Sequence, residues 1–93
     1  MTMLPFRSRI LQYVSTVEQA NVSAVLAALE SEYGGERQFT WKSVANHLMN
    51  LKENELLEEV GYELIDGKLE TSYTISPEGT KLTEKYMTKK AKA

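Results

Sequence analysis

Residues 38–57, QFTWKSVANHLMNLKENELL, decide how the rest of the chain is read. Thr40 is a good N-cap, because its hydroxyl can accept from a backbone N–H that the first helical turn leaves unpaired. Phe39 before it stands at hydrophobic-staple spacing from Val44. The spacing predicts a helix beginning at about Trp41. At about 100° per residue, Trp41, Val44, Ala45, Leu48 and Leu51 share one stripe, and Lys42, Ser43, Asn46, Asn50 and Glu53 lie opposite, with His47 and Met49 on the flanks. The stripe is expected to be core. The opposite face is wet, and its Lys, Ser and Asn are types that hydrogen-bond base edges or phosphates, though an ordinary solvated face has the same composition.

Upstream, Pro5 and Phe6 lead into a first helix expected over 6–17, in which Phe6, Ile10, Tyr13, Val14 and Val17 follow helical spacing. A polar connector, 18–21, precedes a second helix, VSAVLAALESEY, capped by Asn21 or Ser23 and buried along Val22, Val25, Leu26, Leu29 and Tyr33. Gly34-Gly35 is expected to end it, since glycine accepts left-handed geometry without steric cost.

Downstream, the period changes from helical to two. Val60, Tyr62 and Leu64 alternate with Glu59, Gly61, Glu63 and Ile65, and after Asp66-Gly67, Leu69, Thr71, Tyr73 and Ile75 alternate with Lys68, Glu70, Ser72 and Thr74. An Asp-Gly pair between alternating segments predicts a hairpin, as both central residues of a type I′ turn need positive φ. The register then sets Ile65 against Lys68, Leu64 against Leu69, Tyr62 against Thr71 and Val60 against Tyr73, gathering the apolar residues on one face. It also sets Glu63 against Glu70 on the expected outer face, where like charges destabilise the pair. Ser76-Pro77-Glu78 supplies an N-cap, a first-position proline and a first-turn acid for a last helix running through Leu82 and Tyr86.

Composition narrows the classes. Ninety-three residues, 42% hydrophobic, are enough for one small core, so residues 1–93 read as a single domain, with its core at about 6–87 and 88–93 a lysine-rich tail expected to fray. There is no cysteine and a single histidine, which leaves no recognisable metal-ligand set, and no cofactor motif stands out. No nucleophile and base sit at catalytic spacing and no glycine-rich loop follows a strand, so the chain does not read as an enzyme. No signal-like segment or membrane span is apparent, and a soluble cytoplasmic protein is expected. The net charge of -2 is unusual for a nucleic-acid binder, but the acid is local: Glu58, Glu59, Glu63, Asp66 and Glu70 face only Lys68 in the hairpin. Arg7 and Arg9 at one end, and Lys81, Lys85, Lys89, Lys90 and Lys92 at the other, could form a basic patch if the first and last helices meet.

The order helix, helix, helix, hairpin, helix is α+β. Leu48-x-x-Leu51-x-Glu53-x-x-Leu56-Leu57, then a hairpin, then Tyr73-x-Ile75-Ser76-Pro77-Glu78-Gly79-x-x-Leu82 resembles the winged helix-turn-helix of bacterial transcriptional regulators of the broad MarR-like and PadR-like kind. The likeness spans about residues 10–86. Ile75 and Ser76 stand where such regulators commonly have Leu and Thr. Glu55 stands where they commonly have glycine, and Asn54 is expected to take the left-handed position instead.

The resemblance implies a third helix in the major groove of double-stranded DNA and a wing near phosphate or minor groove. Carried over to this chain, it assigns groove contact to Lys42, Ser43, Asn46, His47 and Asn50, phosphate contact to Thr40 and Lys52, and the wing's one cation to Lys68. Asn46 and Asn50, one turn apart, could each pair bidentately with adenine. A homodimer is expected, since one small module seldom makes enough contacts for specific affinity. The acidic hairpin supports an alternative, a protein-interaction module that meets a basic partner through residues 58–70.

Overall fold

The structure, a computed structural model, describes residues 5–92, with side chains described through Lys85. It is α+β: α1 (Phe6–Val14), α2 (Val22–Tyr33), α3 (Trp41–Glu53), an antiparallel hairpin of β1 (Leu57–Ile65) and β2 (Lys68–Ile75), and α4 (Pro77–Lys92). This is a winged-helix-like layout. None of the described helices is long and apolar enough to cross a membrane.

The three leading helices meet along apolar stripes. Phe6, Ile10, Leu11 and Val14 of α1, Val22, Val25, Leu29 and Tyr33 of α2, and Val44, Leu48 and Leu51 of α3 are buried in one cluster. Burying a side chain of this size contributes about 1.5–3 kcal/mol, so α3 is held mainly by three of its thirteen residues. Helix α1 ends at Val14, a turn short of the expected Val17, where Ser15 and Thr16 turn their hydroxyls back onto the carbonyls of Gln12 and Tyr13. Asn21 caps α2, its side chain accepting from the Ala24 N–H at 2.8 Å. The end of α2 differs from expectation. Gly34 stays right-handed at φ -57°, and no left-handed glycine closes the helix.

Helix α3 has the expected bounds, with the Thr40 hydroxyl accepting from Ser43 N–H at 3.1 Å. Its C-terminus corrects the sequence reading. Asn54 has φ -89°, and Glu55 is the left-handed residue at φ 65°. The Glu55 N–H donates to the Lys52 carbonyl and the Leu56 N–H to that of Leu51, the paired bonds of a Schellman stop.

The hairpin turns on Asp66 (φ 50°) and Gly67 (φ 80°), as a type I′ loop requires. The register is Ile65 to Lys68, Leu64 to Leu69, Glu63 to Glu70, Tyr62 to Thr71 and Gly61 to Ser72, as expected up to that point. A bulge at Val60 then shifts it, so that Glu59 and not Val60 faces Tyr73; Gly61, at φ 150°, takes the backbone conformation the bulge needs. On its other edge β2 exchanges two 2.8 Å backbone bonds with Ala20, which ties the hairpin to the α1–α2 connector.

Ser76 caps α4, its hydroxyl accepting from Gly79 N–H at 3.0 Å while donating to the Glu55 carbonyl at 2.6 Å. Gly79 has to be glycine. A Cβ there would collide with the Leu56 carbonyl and lie 2.8 Å from Ile75 Cγ1. The Ser-Pro-Glu-Gly motif thus locks the start of α4 onto the stop of α3. Helix α4 continues through Lys92, and the side chains of Tyr86, Met87, Lys89, Lys90 and Lys92 lie outside the described part.

Candidate functional site

With Val44, Leu48 and Leu51 buried, α3 presents two parallel rows on its uncovered side. Lys42, Asn46 and Asn50, all exposed, form a polar row. Trp41, Ala45 and Met49 form an apolar row beside it, each step four residues along one helix face. Trp41 and Met49 are 46% and 48% exposed. Trp41 is therefore not the core residue its spacing suggested. The buried stripe runs through 44, 48 and 51, and one turn earlier it is met by Phe39 from the preceding loop. No acidic residue stands in the first turn of α3. Glu53 is exposed at its far end, so the polar row is free of carboxylates only over its first three turns.

The remaining predicted contacts do not all join this row. Ser43 is half-buried and Thr40, although exposed, already spends its hydroxyl as the cap. His47 lies on the other flank of α3, its ring edge-on to Phe6 at 5.3 Å between centroids, with Nδ1 buried and without a hydrogen-bond partner. Burial, with Arg7 nearby, holds its pKa below the usual imidazole value. It lines an open cleft with Pro5, Phe6, Arg7, Ser8 and Gln38, away from the wing. Lys52 pairs with Glu59 at 3.5 Å. Lys68 is exposed at the hairpin turn, opposite Ile65 and near enough to Glu70 to act on its charge.

The hairpin's charges are placed differently from the expected outer face. Glu63 and Glu70 do stand opposite each other, yet Glu70 is only 4% exposed. Its carboxylate accepts from the Ser23 N–H at 3.0 Å and the Ser23 hydroxyl at 2.6 Å, and Glu63 accepts from Asn21 Nδ2 at 2.6 Å. Both acids therefore sit at the N-terminus of α2, where the unpaired N–H groups and the helix dipole favour negative charge. Burial pushes the Glu70 pKa up, but the two Ser23 bonds, the Trp41 side chain and Lys68 together hold it below the ordinary carboxylate value. Sequence reasoning missed this use of Glu70; nothing local in the chain signals a partner at Ser23.

The other face of the hairpin is apolar and open. Val60, Tyr62, Leu64 and Leu69 are 49%, 65%, 74% and 67% exposed. Where this face meets α3, a groove of about 240 Å³ runs between the two, lined by Val22, Trp41, Ala45, Met49, Leu69, Glu70, Thr71 and Tyr73. The expected basic patch is reduced at its N-terminal end. Helices α1 and α4 are in contact, but Arg9 is committed to Glu32 by two bonds of 2.8 and 3.0 Å.

Among the described residues no group of three His, Cys, Asp or Glu is placed to hold a metal ion. No protein-family model matches the chain, and no curated protein matches it significantly.

Proposed function

We propose that this chain is a small winged-helix DNA-binding regulator, of the MarR-like or PadR-like kind that its sequence resembles. It inserts α3 into the major groove and acts as a cytoplasmic homodimer with half-sites about one helical turn apart. The observation that carries this reading is the exposed row Lys42, Asn46 and Asn50 on a helix with an acid-free first turn. The placement of Glu70 lightens the acidity of the wing surface by one carboxylate, because that group is buried and bonded to α2. Glu70 is buried against Ser23, whereas Glu63 stays exposed beside the neutral Asn21 amide and keeps its charge at the surface. Lys42 stands in the first turn of α3, where the helix dipole also attracts an anion.

Titration into random-sequence duplex DNA at two salt concentrations tests the reading. Binding should weaken with log K falling by ~0.9 per phosphate contacted, and Lys42→Ala should reduce that slope by about one contact. No binding even at low salt removes it.

A second reading is favoured by the four exposed apolar side chains of the hairpin, which is more than scattered surface residues require. In it, the hairpin docks a protein partner whose basic residues meet Glu58 and Asp66. Glu70 cannot take part, being buried against Ser23. Reversing Glu58 and Asp66 to Lys should then abolish the contact and leave DNA affinity no weaker.

A further inference from the structure

We infer that the α3 surface selects A·T base pairs through the major groove, the amides of Asn46 and Asn50 taking adenine and the Trp41 and Met49 side chains packing on thymine methyl groups; this rests on the DNA-binding reading above. The warrant is the adjacency of the two rows. Asn46 and Asn50 are exposed and one turn apart, and a carboxamide matches the N7 acceptor and N6 donor of adenine bidentately. On the same helix and nearer the wing, Trp41 and Met49 are about half exposed, while Ala45 between them keeps the row shallow.

The major-groove edge of an A·T pair has the same two-part character. It sets the adenine donor and acceptor beside the thymine C5-methyl, the one apolar group a base shows in that groove. A G·C pair offers no methyl, and there the apolar row would lie against the cytosine N4 donor and leave it without a partner. Trp41 is held for this role, because its side chain reaches the buried Glu70 carboxylate, which in turn is fixed by Ser23. Lys42 adds charge without base preference.

Four duplexes of equal length separate the possibilities: dA·dT, dG·dC, dI·dC, and dA·dU, which lacks only the thymine methyl. The dI·dC duplex shows the minor-groove edge of an A·T pair and a major groove like that of G·C. The inference expects dA·dT to bind at least about tenfold tighter than dG·dC, the worth of one bidentate pair. It expects dI·dC to behave like dG·dC and dA·dU to lose severalfold. Asn46→Ala with Asn50→Ala should shrink the preference of dA·dT over dG·dC to the severalfold part carried by the methyl contacts, and Met49→Ala should narrow the gap between dA·dT and dA·dU, with Trp41 retaining the rest. Salt-sensitive binding with equal affinity for all four duplexes, or with dI·dC bound as tightly as dA·dT, overturns the inference and leaves the DNA-binding reading standing. No binding to any duplex at low salt overturns both.

Discussion

The Glu70 carboxylate closes the N-terminus of α2, taking both the backbone N–H and the hydroxyl of Ser23, 47 residues earlier in the chain. One residue of the wing thereby satisfies a group that α2 could not pair by itself, alongside the local cap from Asn21. The bond also fixes where the hairpin stands relative to α2 and α3.

Glu70→Ala should therefore cost about 1–3 kcal/mol in urea unfolding at pH 7, the range for a lost bond to a charged group. The pH dependence follows from the direction of the shift. Glu70 has a folded pKa below its unfolded value, so its contribution is complete above the ordinary carboxylate range and is lost as pH falls through the folded value. The stability gap between the native chain and Glu70→Gln should close on acidification. A gap that is constant from pH 7 to pH 3 would show that the charge of Glu70 is irrelevant to the fold.

Gly79→Ala should be among the most damaging single-methyl changes in the chain, because the added Cβ meets the Leu56 backbone and not a side chain that can move. A cost of about 2 kcal/mol or more is expected, visible as a fall of roughly 8 °C or more in Tm for a chain of this size. Gly35→Ala is the control, with nothing near its Cβ position and no positive φ. Equal Tm for the two variants would contradict the close approach of α4 to the end of α3.

At Glu55 the expected sign is opposite. A non-glycine residue held at φ 65° costs roughly 1–2 kcal/mol, and the Schellman bonds around it use only backbone groups. Glu55→Gly should raise the urea midpoint without changing the slope, less the entropy that glycine adds to the unfolded chain. Since Ser76 bonds to the Glu55 carbonyl and not its side chain, that link is retained.

How much of this was legible in the sequence depended on how local each signal was. The bounds of α3 follow from Thr40 and one apolar stripe, and the Asp66-Gly67 loop sets the register out to Gly61. Beyond it the Val60 bulge breaks the alternation, and only the backbone conformation of Gly61 marks where. Alternation also showed which side chains share a face without showing whether anything covers it. The hairpin reaches past the helices, so Leu64 and Leu69 pair correctly and remain in water. Of the candidate site, the exposure of the polar row Lys42, Asn46 and Asn50 was legible. Exposed Trp41, inward Glu70 and the packing of His47 on Phe6 depend on neighbours distant in the chain, Phe39 excepted; spacing placed His47 on the flank but not against its partner.

His47 gives a separate pH signature. Its folded pKa is lowered by burial, with Arg7 adding to the effect, so the unfolded chain takes up a proton at higher pH than the native one. Stability is complete above the ordinary imidazole value of ~6.5 and declines as pH falls below it. His47→Phe should flatten that decline between pH 7 and pH 5 while keeping the edge contact with Phe6 as an aromatic pair. An NMR titration placing the native imidazole above 6.5 would reverse the argument.

Leu57 and Leu64 lie on the same strand and differ mainly in cover, at 1% and 74% exposed. Leu57→Ala should cost about 2–5 kcal/mol, because a cavity opens where α3 meets the sheet. Leu64→Ala removes only its cross-strand contact with Leu69 and should cost under about 1 kcal/mol. Native-state hydrogen exchange should agree, with amides near Asp66 opening at low free energy and those near Leu57 only in global unfolding. Similar losses for the two variants would mean that the wing tip is integral to the core, and that its apolar face is not free to meet a partner.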